Sequence, residues 1–299
     1  CRRERCPVAF VGQTTLSNAV EVYDPERDEY PVQVPLSMLF GDLPISTMVL
    51  DNPKINQATD SHNYDLDLPE LIQRVLSHPS VASKSFLITI GDRTVGGLVA
   101  RDQLVGRYQV PTSNYAMSTK SFLSNEGDAL SIGEKPTLAV KNPAASLRMA
   151  LAEALMNLCS VPIKSLDLVR LSANWMAACG DEEDNYALLL GVEALSNMCI
   201  ELGVAIPVGK DSLSMRTKWN EGDEEYEVKS PLSGVITAMA PVKDVSLGVT
   251  TEFKESGSKN LYHLFLNNQY RLGGSIFEEV TSSSILEVPD IDDVELFNN

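Results

Sequence analysis

The chain has 299 residues, with 41 acidic side chains against 24 basic ones and a formal charge of −17. At 43% hydrophobic residues it has the apolar content for a packed core, which excludes disorder throughout, and the length allows one large domain or about two smaller ones. A pI near 4.6 excludes a general nucleic-acid or anionic-membrane surface, since either needs a basic face to exchange for counterions. Any anion would have to be held at a local site.

The sequence starts at Cys1, with no charged start followed by an apolar stretch of about 7 to 15 residues. No apolar run approaches the ~20 residues that span a bilayer. The expectation is a soluble, cytoplasmic protein and a piece of something longer. The cysteines, Cys1, Cys6, Cys159, Cys179 and Cys199, are odd in number and mostly in apolar contexts, as reduced thiols are. Cys1 and Cys6 are close enough for a metal pair, but no second Cys or His pair accompanies them, so two unpaired thiols are the competing reading. His62, His78 and His263 are scattered and form no visible triad.

Residues 1–50 hold short apolar runs such as Val8-Ala9-Phe10-Val11 and suggest strands at the tail of a domain. The stretch 51–68, rich in Asn, Asp, Ser and Thr, reads as a linker or long surface loop. A short helix over 69–77 stops before Pro79. Phe86-Leu-Ile-Thr-Ile90 then reads as a strand, turned by Gly91-Asp92-Arg93 onto a partner at 95–99. The segment 99–117 mixes charge and glycine. It is either a surface connection with ion pairs or a ligand-lining loop in which Arg101 or Arg107 offers donors to phosphate and Asn114 an oxygen to a metal or nucleotide.

Asn142-Pro143, a capping residue followed by proline at the first helical position, opens a helix predicted to run to about Cys159. At ~100° per residue, Ser146, Glu153 and Asn157 lie within about 40° of one another, a polar stripe on an otherwise apolar cylinder. Glu153 and Asn157 could supply hard oxygen ligands to Mg²⁺; the competing reading is a carboxylate bridging to a backbone amide or an arginine nearby. Leu171-Ser-Ala-Asn-Trp-Met-Ala-Ala178 puts a polar Asn174 inside a small-residue run, either a candidate for a ligand or a capped turn packed by Trp175. A second helix runs from Glu182-Glu183-Asp184, which suit the positive end of the macrodipole, to a stop at Gly203.

A strand at 204–208 leads into the loop Gly209-Lys210-Asp211-Ser212. This lacks the G-x-x-x-x-G-K-[ST] pattern, so a Walker loop is rejected, although a strand end facing a cleft keeps Lys210 a candidate. Strands follow at 226–228 and 232–240, joined to what precedes them by an acidic hairpin at 220–225, and another at 261–266 before an acidic end with no core of its own.

The strings Gly91-Asp-Arg-Thr-Val, Ala100-Arg-Asp-Gln-Leu-Val-Gly106, Ala152-Glu-Ala-Leu-Met-Asn157, Leu171-Ser-Ala-Asn-Trp-Met176 and Pro207-Val-Gly-Lys-Asp-Ser-Leu-Ser-Met215 resemble, in that order, the formylglycinamide ribonucleotide amidotransferase (phosphoribosylformylglycinamidine synthase) family in its large single-chain form. The resemblance implies an α+β fold like that of aminoimidazole ribonucleotide synthetase, a PurM-like A-type domain flanked by parts of B-type domains. Residues 1–65 would end a first B domain, 66–79 form a linker helix, 80–245 a second A domain, and 246–299 the start of a second B domain.

It also implies an ATP-dependent ligase of purine biosynthesis that takes formylglycinamide ribonucleotide, ATP and glutamine-derived ammonia, with Mg²⁺ and ATP or ADP as cofactors and no nucleic-acid or membrane partner. By the same resemblance, Lys84, Ser113 and Asn114 would contact an auxiliary nucleotide and Asn114, Glu153 and Asn157 its metal. Arg101, Asp102, Asn174, Lys210, Asp211 and Ser212 would line a ligand. Asn114 stands where bacterial members have aspartate, which removes one charge and implies lower metal affinity. The family's glycine-rich ATP segment, its synthetase His and its glutaminase Cys are not found here, so the piece by itself is expected to be inactive. A catalytically silent relative serving as a protein-interaction module is the alternative from another class.

Overall fold

The computed structural model describes residues 3–41, 50, 60–61, 67–90, 97–252, 260–266 and 269–299. The expectations placed on Cys1, His62, the turn Gly91-Asp92-Arg93 and most of 51–68 lie outside them. The chain divides into two units, Cys1–Val49 and Leu50–Asn299. With 30% helix and 27% strand, the secondary structure has the balance of an α+β protein. Among the described residues no helix is long and apolar enough to cross a membrane.

In the first unit, β1 (Ala19–Asp24) and β2 (Glu29–Pro35) form an antiparallel hairpin followed by the single helical turn α1 (Leu36–Leu39). Asp24 turns the chain by accepting the amide of Glu26 at 2.9 Å, and Asp28 takes a left-handed φ of 55°. The strand expected at 8–11 is absent: Phe10 and Val11 are fully exposed, so no buried face rewards their alternation.

The second unit opens with α2 (Leu68–Ser77), capped by Asp67, whose side chain accepts the Glu70 amide at 3.0 Å. Residues 85–90, expected as a strand, form α3 (Ser85–Ile90). The Ser83 hydroxyl accepts the Ser85 amide and the Lys84 carbonyl that of Leu87, so local capping overrides the β-propensity of Phe-Leu-Ile-Thr-Ile. The partner expected for that strand goes elsewhere. Val99–Arg101 is β3, and it pairs with β4 (Tyr115–Thr119), so part of the segment read as a loop is a hairpin.

Next come β5 (Gly127–Gly133), the turn α4 (Pro136–Ala139) and α5 (Pro143–Leu158), then β6 (Arg170–Met176) where a turn was expected. After α6 (Glu182–Leu202), β7 (Ala205–Ser212) carries the predicted loop 209–212 inside the strand. β8 (Arg216–Glu221), β9 (Glu224–Lys229) and β10 (Ser233–Val242) follow, and α7 (Ile276–Thr281) and α8 (Val294–Asn298) complete the order. Residues 261–266, expected as a strand, are exposed and irregular, with no strand among the described residues paired to them.

The main sheet runs β3-β4-β5-β10-β6-β7, antiparallel except where α6 carries the chain across to make β6 and β7 parallel. β5 alternates strictly in burial: it buries Gly127, Ala129, Ser131 and Gly133 and leaves Asp128, Leu130 and Ile132 outward. α5 covers the inner face, with Leu147, Leu151 and Leu158 wholly buried. Glycines permit that approach. A Cβ on Gly133 would lie 2.1 Å from the Ala150 carbonyl, and one on Gly234 2.2 Å from Leu147 Cδ1. The C-terminal segment joins this core: Ile291 is buried in it, and Val294 and Phe297 pack against it.

Candidate functional site

On the outer face of the sheet a cavity of about 500 Å³ is lined by Arg101, Asp102, Ser113, Asn114, Ile132 and Thr237, among others. The strand register builds it. Ile132 of β5 lies beside Thr237 of β10, and Leu130 beside Ala116 of β4, so alternate residues of three strands form an apolar floor. Polar groups come from the edge, where the 101–113 loop extends the β3–β4 hairpin through Val105 N–H to the Pro111 carbonyl and Ser113 N–H to the Gln103 carbonyl, each 2.8 Å.

At that edge the Arg101 guanidinium sits 5.9 Å above the Tyr115 ring, and its buried Nε has no hydrogen-bond partner among the described residues. Tyr115 is itself fixed, its hydroxyl donating to the Val249 carbonyl at 2.8 Å. The Ser113 hydroxyl donates to the Tyr115 carbonyl at 2.7 Å, and Asn114 is exposed at the start of β4.

The polar stripe of α5 holds the connection that leaves β5. The buried Ser146 hydroxyl donates to the Lys135 carbonyl at 2.6 Å, Glu153 Oε2 accepts the Glu134 amide at 2.8 Å, and Asn157 Nδ2 donates to the Ile132 carbonyl at 3.1 Å. Lys135 Nζ lies 2.6 Å from Glu153 Oε1, a partner the sequence reading did not assign. Ile132 therefore links the two places, its side chain in the cavity lining and its carbonyl on Asn157. Among the described residues no group of three or more His, Cys, Asp or Glu is placed to hold a metal ion.

The remaining candidates lie apart from the cavity lining. Lys84 Nζ hydrogen-bonds the carbonyls of Pro79 and Ala82 in its own turn. Arg107 stacks on Tyr108 at 5.7 Å in the exposed part of the loop. Asn174 and Lys210 are register partners on β6 and β7, and Lys210 donates to the Ser212 hydroxyl, with exposed Asp211 between them on the strand. What the sequence reading missed is the apolar floor, Leu130, Ile132 and Thr237. The sequence carries only a weak signal for it, a small–large alternation in Gly127-Asp-Ala-Leu-Ser-Ile-Gly133 with no alternation of polarity.

An α+β domain with one helix-covered sheet face and an open, cavity-bearing one is the class that these elements define. Residues 83–241 match the FGAR-AT PurM N-like domain, and the chain belongs to that family. The whole chain is 42% identical to the phosphoribosylformylglycinamidine synthase of Schizosaccharomyces pombe, of which it covers 24%, so it spans about a quarter of that relative's length. Among solved structures, PurLQS from Thermotoga maritima is similar over 79% of this chain and 33% of its own, at 17% identity and a TM-score of 0.47. PurL from the same organism complexed with ADP is similar over 77% of this chain and 32% of its own, at 16% identity and a TM-score of 0.46.

Proposed function

We propose that this chain is part of a formylglycinamide ribonucleotide amidotransferase, the ATP-dependent ligase that converts formylglycinamide ribonucleotide to formylglycinamidine ribonucleotide with glutamine-derived ammonia. Within it, the 83–241 domain supplies an auxiliary ADP and Mg²⁺ site and part of the structural core. The observation that carries this reading is the 42% identity across the entire chain to a curated synthase. As a cytoplasmic purine-biosynthesis enzyme it would take the small molecules named and neither nucleic acid nor membrane.

The cavity suits a nucleotide in two respects. Its floor of Leu130, Ile132 and Thr237 offers a surface for a base, and its edge offers Arg101 together with Ser113 and Asn114 for phosphate and sugar oxygens. Asn114, Glu153 and Asn157, grouped by the family resemblance, would supply oxygen donors of the kind that take Mg²⁺ jointly with a phosphate. When bound, the ion shields phosphate charge. Asn157 spends its Nδ2 on Ile132, which leaves its Oδ1 for a cation, whereas Glu153 is held by Lys135 and has to exchange that ammonium for the ion. Lys84, Asn174, Lys210, Asp211 and Ser212 would then act outside the pocket proper, on the parts of a substrate that extend beyond it.

Photolabelling the chain with 8-azido-ADP checks the location. The expected adducts fall within 99–118 and 130–132. Labelling confined to other segments, or labelling that excess ADP fails to suppress, contradicts the site.

A further inference from the structure

β8 and β9 pair only with each other, so the hairpin has two faces of its own. The register sets Arg216 and Lys218 opposite Lys229 and Glu227 on one face, and Trp219 and Glu221 opposite Tyr226 and Glu224 on the other. The first face neutralises itself. Arg216 lies 3.1 Å from Glu227, and Lys218 lies 3.3 Å from Glu225 and 3.7 Å from Glu227. It also anchors the hairpin: Lys229 reaches Asp184 at 3.1 Å and Arg216 reaches Asp181 at 3.5 Å, at the start of α6.

The second face is left charged. The Trp219 and Tyr226 rings stack with centroids 5.5 Å apart and planes 16° from parallel. Trp219 Nε1 donates to Glu221 Oε1 at 3.3 Å and the Tyr226 hydroxyl to Glu224 Oε2 at 2.6 Å, so each carboxylate is held at the rim of a ring by that ring's own polar tip. Neither carboxylate has a cationic partner among the described residues. Stacking uses one face of each ring, and Trp219 remains 40% and Tyr226 38% exposed, beside Val228 at 58%.

A ring face attracts a cation, and adjacent carboxylates accept the planar donor fork that only arginine presents. Anionic ligands are repelled here, and a second copy of a chain with a charge of −17 is a poor match for the same reason. We propose that this face of the β8–β9 hairpin docks an arginine-bearing segment of another protein. The guanidinium plane lies on the exposed ring surface and its N–H groups donate to Glu221 and Glu224.

The chain has two tryptophans, Trp175 and Trp219, so their two indole N–H resonances report separately on the core and on the hairpin. The ligand is a capped glycine-rich peptide with two arginines, compared with the same peptide carrying citrulline, which keeps the shape and loses the charge. The expected result is a saturable shift of the Trp219 resonance with the arginine peptide. It weakens about tenfold or more with citrulline, or in the Glu221→Gln/Glu224→Gln variant, while the Trp175 resonance stays in place. Equal responses to the two peptides would mean contact that does not use the guanidinium charge, and an unchanged response in that variant would mean general attraction to an acidic protein; either would overturn the proposal. Free arginine binding as tightly as the peptide, or a dimer that Trp219→Ala dissolves, would overturn it in favour of a small cation or a second copy.

Discussion

Glu153 shows how much one side chain can be asked to do. Its two oxygens hold the Glu134 amide and the Lys135 ammonium, and the pair is about one-third exposed, so its contribution to folding is modest, about 1 kcal/mol. Glu153→Ala is therefore expected to leave a folded domain with weakened Mg²⁺-dependent ADP binding, and Lys135→Met to strengthen Mg²⁺ binding by removing the competing cation. Titrations with the ion at fixed ADP read both, and unchanged binding in folded variants would contradict the roles. The Glu153 position was legible in the sequence because a lone polar stripe on an apolar helix needs an explanation. Lys135 was not, since it sits in a turn whose direction no periodicity encodes. Cysteine chemistry follows burial in the same way: the Cys199 thiol is pushed up to about 11 by burial, while Cys159 is exposed. Iodoacetamide at pH 8 is expected to alkylate Cys159 and spare Cys199, as peptide mass analysis would show; rapid modification of Cys199 in the folded chain would contradict its burial.

The helices α5 and α6 were readable from caps and composition: Asn142 accepts the Ala145 amide at 3.0 Å, and Gly203 stops α6 with a φ of 69°. The strands were harder. β5 and β6 are rich in Gly, Ser, Asp and Asn, residues with poor strand propensity, and they are strands because β10 hydrogen-bonds to both along its two edges and their inward residues are buried in the core that α5 shares. Phe-Leu-Ile-Thr-Ile90 failed in the opposite sense, with high propensity and no partner strand among the described residues. The dependence on α5 gives a sharp expectation. Gly133→Ala drives a methyl into the Ala150 carbonyl and the Ala154 amide and is expected to cost about 3 kcal/mol in urea unfolding, whereas no measurable change would mean that α5 does not seat on β5 as described.

The C-terminal segment is tied to the central domain by charge as well as by apolar packing. Arg148 forms a two-pronged pair with Asp290 at 2.7 and 2.5 Å, and Lys141 lies 2.7 Å from Glu278. Burial pushes Glu278 up, but hydrogen bonds from Lys141 and from the Ile285 and Gly274 amides outweigh it and hold the carboxyl below its ordinary 4.5. A lowered folded value means that the stabilisation is complete above the ordinary glutamate value and is lost as the pH falls through the lowered one. Protection from hydrogen exchange over 276–291, taken relative to the intrinsic rate at each pH, is thus expected to fall on acidification below about pH 4, and Glu278→Gln to remove that step; identical protection profiles would contradict the linkage. Arg148→Ala, which strands Asp290 half-buried, is expected to cost about 2 kcal/mol and to open the same segment to proteolysis.

In the proposed function the open sheet face is the side on which a nucleotide would enter. Calorimetric titration of the 299-residue chain with ADP, with and without Mg²⁺, reads that directly, after a denatured sample has been checked for nucleotide carried through purification. Saturable one-site binding that requires Mg²⁺, or ADP already bound, is the predicted result. Absence of both in a folded chain would contradict the auxiliary site.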